Sequence, residues 1–239
     1  MVPPFSLVIP AYNEAERISS TLTDAIDYLR TSSAGSEVIV VDDGSTDGTA
    51  EVVSDVFARS RGAETRLIQQ PENRGKGAAV RKGLAATARP IALFSDADFS
   101  TPITEAPKLL EPINAGELEV AFGSRALDRR LIGSRQSWSR EQGGRVFNLL
   151  VRLMTGLPYW DTQCGFKAFR MEAFRPILSQ ARSDGFGFDV ELLYLAEKHG
   201  LRMREIPVRW DHNDGSKLHY VHDSLRMFRE VLELRTRRA

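Results

Sequence analysis

The chain has 239 residues, 42% of them hydrophobic, enough for one sizeable domain or two small ones. Lys plus Arg and Asp plus Glu number 32 each, so a zero net charge gives no electrostatic footprint for nucleic acid. The single cysteine, Cys164, excludes an internal disulfide and a Cys-rich zinc site and is compatible with a reducing compartment.

In chain order, MVPPFSLVIPAYNE lacks a basic n-region and reads as no secretory leader. No window of 18 uncharged apolar residues predicts a membrane span, which places the protein in the cytoplasm or at the cytoplasmic face of a membrane. FSLVI predicts a buried strand stopped by Pro10, and a helix starting near Asn13-Glu14 presents Ile18, Leu22, Ile26 and Leu29 on one face. Val38 to Val41 predicts a second strand running into Asp42-Asp43-Gly44-Ser45. Asp47 or Thr46 is placed to cap the next helix, which carries Val52, Val53 and Val56. TRLIQQ is a weaker strand, NRGKGAAVRKGLAATA a turn and a helix of small residues, and PIALFSDAD a strand again. This alternation predicts an α/β fold with a mostly parallel sheet covered by helices on both faces. Further on, ELEVAFGSR reads as a strand, 145–154 as a helix, 189–200 as a helix with a glycine stop, and LRMREIPVRW as a half-exposed strand. From Val221 onward, Val221, Leu225, Phe228 and Leu232 predict an amphipathic helix flanked by arginines. Such a helix suits a membrane surface, a partner or the domain's own core.

In parallel α/β sheets ligands bind beyond the carboxyl ends of the strands. Three polar clusters fall there: Tyr12-Asn13-Glu14, Asp42-Asp43-Gly44-Ser45 and Asp96-Ala97-Asp98. One such cluster reads as a capped loop, but three at successive strand ends read as a site. An Asp-x-Asp offers hard oxygen donors to Mg²⁺ or Mn²⁺, which take their remaining ligands from phosphate and water. Competing signatures fail. There is no Walker loop, no Gly-x-Ser-x-Gly elbow, and GKGAAV ends on Val80 where the dinucleotide fingerprint needs Gly or Ala. His219 and His222 stand at i, i+3, a spacing that could share a metal but reads by default as a solvated helix face.

The ordered set VIPAYNE, VVDDGSTDGT, NRGKGAA, DAD, GSR, DTQCGFK and EIPVRW…GSK resembles the family 2 glycosyltransferases, closest to the branch that makes dolichyl- and polyprenyl-phosphate sugars. The resemblance implies a GT-A fold with a small antiparallel element in the second half. It implies a nucleotide-sugar half (about 1–125), an acceptor half (126–220) and a terminal helix (221–239). Pro10, Ala11, Tyr12, Glu14, Asp43, Arg74, Lys76, Asp96 and Ala97 would bind the nucleotide sugar, and Asp98 the metal-bound diphosphate. Arg125 and Arg140 match the arginines that grip the acceptor phosphate, and Asp161 the motif acid beside the transferred sugar, although a helix cap also explains it. Asp189 and Glu191 fit a helix start as well as a site. The mannosyl branch carries Gln where Ser100 stands, which leaves further metal ligands to water. Residues 123–152 hold seven Arg, no Lys and two acids, a composition suited to planar anion recognition.

The expected chemistry is inverting transfer of a hexose from UDP-glucose to a polyprenyl phosphate, with GDP-mannose as the second donor. A sugar-hydroxyl acceptor with Asp161 as base is the alternative within the family. A nucleotidyltransferase would need a Gly-rich loop after the first strand, where Pro-Ala-Tyr-Asn-Glu stands instead. A non-catalytic nucleotide binder is the remaining class. A homodimer and a membrane-embedded partner are both compatible with the sequence.

Overall fold

In a computed structural model, residues 2–60, 62–133, 138–211, 227 and 230–234 are described, without the side chains of 138–142 and 145. Seven strands form one sheet. They are β1 (Ser6–Ala11), β2 (Glu37–Asp42), β3 (Glu64–Gln69), β4 (Ile91–Ser95), β5 (Val120–Ser124), β6 (Phe166–Arg170) and β7 (Met203–Pro207). The helices are α1 (Ile18–Ser32), α2 (Thr49–Arg59), α3 (Lys76–Ala85), α4 (Ala106–Asn114), α5 (Trp138–Thr155), α6 (Met171–Leu178) and α7 (Phe188–Lys198). The strand order is β3-β2-β1-β4-β6-β5-β7, parallel throughout except for β6, which runs antiparallel to both β4 and β5. The expected mostly parallel sheet with an antiparallel element in the second half is thus observed.

The sheet buries both faces. Leu7, Ile9, Val38, Val40 and Leu93 face the core under α1 and α4, while Val8, Phe94, Phe122 and Phe169 face the core under α6 and α7. Strands buried on two sides must be apolar at every position, which is why β1, β2 and β4 read as continuous hydrophobic runs. The edge strands β3 and β7 are only partly buried and alternate with polar residues.

Four expectations are corrected. First, β1 does not stop at Pro10. The carbonyls of Phe5 and Ala11 accept bonds from β2, so odd positions direct their polar groups toward β2. Pro10 therefore faces β4, whose pairing has already ended at Val8–Phe94, and its missing N–H leaves no gap in the ladder. Second, α1 begins at Ile18 because Glu14 to Arg17 form a turn first, although Ile18, Leu22, Ile26 and Leu29 are its buried face as expected. Third, Asp161 caps no helix; the segment after it leads into β6. Fourth, residues 230–234 are helical, but Leu232 points outward while Met227, Val231 and Leu234 are buried in the domain core. The buried face is rotated from the expected one, and this stretch packs on the domain itself. Val221, Leu225, Phe228, His219 and His222 lie outside the described residues.

Candidate active site

β1 and β2 end level, Ala11 opposite Asp42, and β4 stops beside them at Ser95. The three polar clusters therefore meet at one rim. Asp43 N donates to Ala11 O at 2.8 Å, which locks the first two strand ends together. Asn13 N donates to Ser45 Oγ and its side chain accepts from Thr46 N, both within 2.9 Å. The N-cap of α2 is Gly48 rather than the expected Asp47 or Thr46; Asp47, one residue before it, accepts from Thr49 N and from Ala15 N and ties the start of α2 to the β1 loop. Thr21 Oγ1 donates to Ala97 O at 2.7 Å and fastens the aspartate loop to α1.

Asp96 forms an ion pair with Lys76 Nζ at 2.6 Å. The Lys76 ammonium also lies within 6.0 Å of the ring centroids of Phe94, Phe186 and Phe188. Burial draws the Lys76 pKa down, but the carboxylates of Asp96, Asp189 and Asp98 outweigh it and hold the group charged. Burial pushes the Asp96 pKa up; Lys76 opposes that, and Asp98 adds to it. Asp98 Oδ1 accepts from Ser100 N at 2.9 Å, and Ser100 O accepts from Asp211 N. Ser100 thus serves as a backbone strut. Phe99, between them, has φ of 46°, a left-handed conformation that costs a bulky residue about 1–3 kcal/mol.

These residues fit a divalent ion. Asp96 Oδ1 is buried against the Lys76 ammonium at 2.6 Å without an aligned hydrogen bond, a hard oxygen donor two residues from a second carboxylate. Among the described residues no group of three His, Cys, Asp or Glu side chains converges, so substrate and water would complete the shell.

Other predicted residues are engaged differently than expected. Asp43 is buried, and its carboxylate accepts from Arg74 N at 3.0 Å, Gly75 N at 2.8 Å and Gln70 Nε2. It shapes the loop before α3, and burial, partly offset by these bonds, raises its pKa. Gly75 has φ of 105°, and a Cβ there would collide with Asp184 O. Arg74 points its own side chain toward Asp184, 3.7 Å away. Glu14 is clamped by Arg17, whose guanidinium also feels the charges of Asp98 and Asp96. Tyr12 is exposed at the rim.

A second cluster lies around the end of β5. The Asp161 carboxylate accepts from Arg125 N at 2.9 Å, Nε at 2.7 Å and Nη2 at 2.8 Å. Burial would raise the Asp161 pKa, but the adjacent Arg125 guanidinium overrides it and holds the carboxyl below its usual range. Among the described residues Arg125 Nη1 takes no bond. Glu205 accepts from Trp160 N, Asp161 N and Ser124 Oγ, joining the loop to β5 and β7. Arg140 stands in the first turn of α5, and its side chain lies outside the described residues.

Between the two clusters Lys167 is fully buried, donating to Cys164 O at 2.6 Å and to Asp189. Asp189 and Glu191 do start α7, and Glu191 accepts from Arg182 N and Ser183 N. The turn that Lys167 holds carries Gly165, whose O accepts from Asp96 N and whose Cα lies against the Asp96 carboxylate, leaving no room for a Cβ. Arg17, Gln70, Gly165, Lys167 and Glu205 were not picked out from the sequence. Arg17 carried a signal in its i, i+3 spacing from Glu14, and Gly165, Lys167 and Glu205 lie within the DTQCGFK and EIPVRW motifs quoted above, though no role marked them there.

The profile of the family described as Glycosyl transferase family 2 matches residues 6–178. The dolichyl-phosphate beta-glucosyltransferase of Drosophila melanogaster is 40% identical over 95% of this chain and 72% of its own length. The protein of the same name from Dictyostelium discoideum is 34% identical over 97% of this chain and 74% of its own. The one from Homo sapiens is 35% identical over 97% and 75%. Among solved structures, glucosyl-3-phosphoglycerate synthase from Mycobacterium tuberculosis bound to phosphoglyceric acid superposes with a TM-score of 0.71, at 22% identity, over 99% of this chain and 81% of that one. The same enzyme with Mn²⁺, UDP-glucose and phosphoglyceric acid gives 0.67 at 23%, over 97% and 78%. At that identity the likeness speaks for the GT-A fold alone.

Proposed function

Because the chain belongs to glycosyl transferase family 2, we propose that it transfers glucose from UDP-glucose to a dolichyl-type polyprenyl phosphate. The observation that carries this reading is the 34–40% identity, over 95–97% of the chain, to three dolichyl-phosphate beta-glucosyltransferases.

Residues up to about 125 form the donor half and residues 126–220 the acceptor half. Pro10, Ala11, Tyr12 and the loop that Asp43 shapes, with Arg74 at its end, border the nucleotide. Glu14 orients Arg17 toward the aspartates, and Lys76 and Asp96 with Ala97 line the diphosphate end. Asp96 and Asp98 would hold Mg²⁺ or Mn²⁺, which when bound offsets the diphosphate charge. Arg125, fixed by Asp161 through Nε and Nη2, presents Nη1, which makes no bond among the described residues, to the acceptor phosphate, a donor suited to that anion. Arg140 is the second phosphate ligand in this assignment. Asp161 acts as the clamp of Arg125 rather than as a base, since it is held ionised by four hydrogen-bond donors.

A phosphate acceptor is already anionic and needs no proton removed. Its oxygen bonds to the anomeric carbon as the bond to the β-phosphate oxygen breaks, and UDP leaves with the electron pair. One in-line displacement inverts the centre, so an α-linked donor gives a β-linked lipid phosphate. Alignment and charge stabilisation carry the rate. The lipid acceptor puts the reaction at a membrane surface, approached from the cytoplasmic side.

The test is a panel of UDP- and GDP-sugars with a short polyprenyl phosphate, with and without EDTA, read by product mass. Glucosyl phospholipid formed from UDP-glucose and lost with EDTA is expected. Product from GDP-mannose alone overturns the donor. Transfer to sugar hydroxyls that survives Arg125→Ala overturns the acceptor.

A further inference from the structure

From Val146 to Met154, helix α5 carries apolar side chains on two faces, and among the described residues only one of them is covered. Val151 is buried, with Phe147 and Met154 packed beside it against the core of the acceptor half. On the other side Val146, Leu149, Leu150 and Leu153 follow the i, i+3, i+4, i+7 rule and are exposed, Leu153 to 71%. Nothing among the described residues covers this stripe. Trp160, 57% exposed, lies at the end of the helix with the Arg152 guanidinium stacked 4.0 Å from its ring.

We propose that this face docks on a lipid surface, with the four aliphatic side chains among the acyl chains and Trp160 and Arg152 at the headgroups. The inference rests on the reading of the acceptor as a lipid phosphate. Two observations select lipid over a protein partner. The chain as a whole is neutral, yet residues 123–161 hold seven arginines against three acids, Asp161 being the partner of Arg125, a local excess of positive charge that complements anionic headgroups. A Trp–Arg rim beside an aliphatic stripe matches the layering of a membrane interface. Five side chains are also few against the roughly 20–30 residues per side of a standard protein interface. The stripe adjoins the acceptor cluster: Trp160 directly precedes Asp161, and Asn148 of α5 meets Thr162 at 3.4 Å. A headgroup at Arg125 and a tail in the bilayer are thus served by one continuous surface. The surface differs from the C-terminal stretch singled out in the sequence, where Met227, Val231 and Leu234 are buried in the domain and Leu232 is the one exposed hydrophobic side chain among the described residues there.

The experiment floats the full chain with phosphatidylcholine vesicles containing one quarter phosphatidylglycerol. It compares wild type, Leu149→Glu/Leu153→Glu and the milder Leu149→Ser/Leu153→Ser. Wild type is expected to float, the Glu variant about tenfold less and the Ser variant between them. UDP-glucose binding and the rate on a water-soluble two-isoprene phosphate are expected to stay unchanged, while the rate on a long-chain acceptor in vesicles falls about tenfold with docking. Equal flotation of wild type and Glu variant, or no flotation of wild type, overturns the proposal. So does a dimer in vesicle-free solution that the Glu variant dissociates. Flotation that responds to the variants without transfer to any polyprenyl phosphate would leave the docking surface standing and refute the proposed reaction.

Discussion

Asp96, just past the end of β4, and Asp161, in the loop before β6, both face a cation, but they are held in opposite ways. Asp161 is saturated: four hydrogen-bond donors converge on it and Arg125 keeps its pKa low. Asp96 is left short. Its Oδ1 faces the Lys76 ammonium at 2.6 Å without an aligned hydrogen bond, a second carboxylate stands two residues away, and its pKa is pushed up. Beside it Phe99 is held in a strained conformation. A fully satisfied ion pair rigidifies its surroundings, whereas a carboxylate held mainly by one ammonium keeps capacity for a further cation. The difference separates scaffold from socket within one rim.

Substitutions can break this contrast. Asp98→Ala should abolish the socket's purpose while sparing the fold, lowering kcat about 10²–10³-fold with an unchanged circular dichroism spectrum. Asp161→Ala should do the reverse first, since it strands Arg125; about 3 kcal/mol of stability is expected to go, read by urea unfolding at pH 7. The sign with pH is fixed. The folded pKa of Asp161 is depressed, so its contribution is present above the ordinary carboxylate pKa of about 3.9 and is lost as pH falls through the folded value. The gap between wild type and Asp161→Ala should therefore narrow in acid; a gap that widens would refute the clamp. Gly165→Ala adds a methyl where the Asp96 carboxylate lies, and about 1–3 kcal/mol of overpacking cost should accompany a raised requirement for Mn²⁺. The smallest effect concerns Cys164, between the two clusters. Its thiol is buried and pushed up to about 12, first by burial and then by Asp161. Iodoacetamide at pH 8 should leave it unmodified in the native protein and label it only on unfolding, as mass spectrometry can show.

The parallel half of the fold was legible because strands buried on both sides, and helices with one buried stripe, leave plain periodic marks. β6 was not, because CGFKAFR places a charged Lys167 inside a strand. Its burial makes sense only with Asp189, which comes from a helix 22 residues on. α4 was missed because Pro107 and Pro112 obscure it, though the first sits where a helix needs no N–H. In the site, the strand-end aspartates announced themselves. Glu205 and Gln70 did not, since each acts on a carboxylate segment 44 or 27 residues away that only the folded sheet brings near. Asp43 and Glu14 were found, but their partners, and hence their work, were not readable from spacing.

The place of β6 has a consequence for how the protein is made. It sits between β4 and β5, although it follows both in the chain by many residues. As the polypeptide leaves the ribosome, β1 to β4 can pair at once, but the outer edge of β4 and one edge of β5 stay bare until residue 170 has emerged, and the other edge of β5 until β7 follows at residue 207. Bare apolar edges invite pairing with a neighbouring nascent chain. Slowing elongation just before residues 166–170 would prolong that exposure and lower the soluble yield of a protein whose finished form is unaltered.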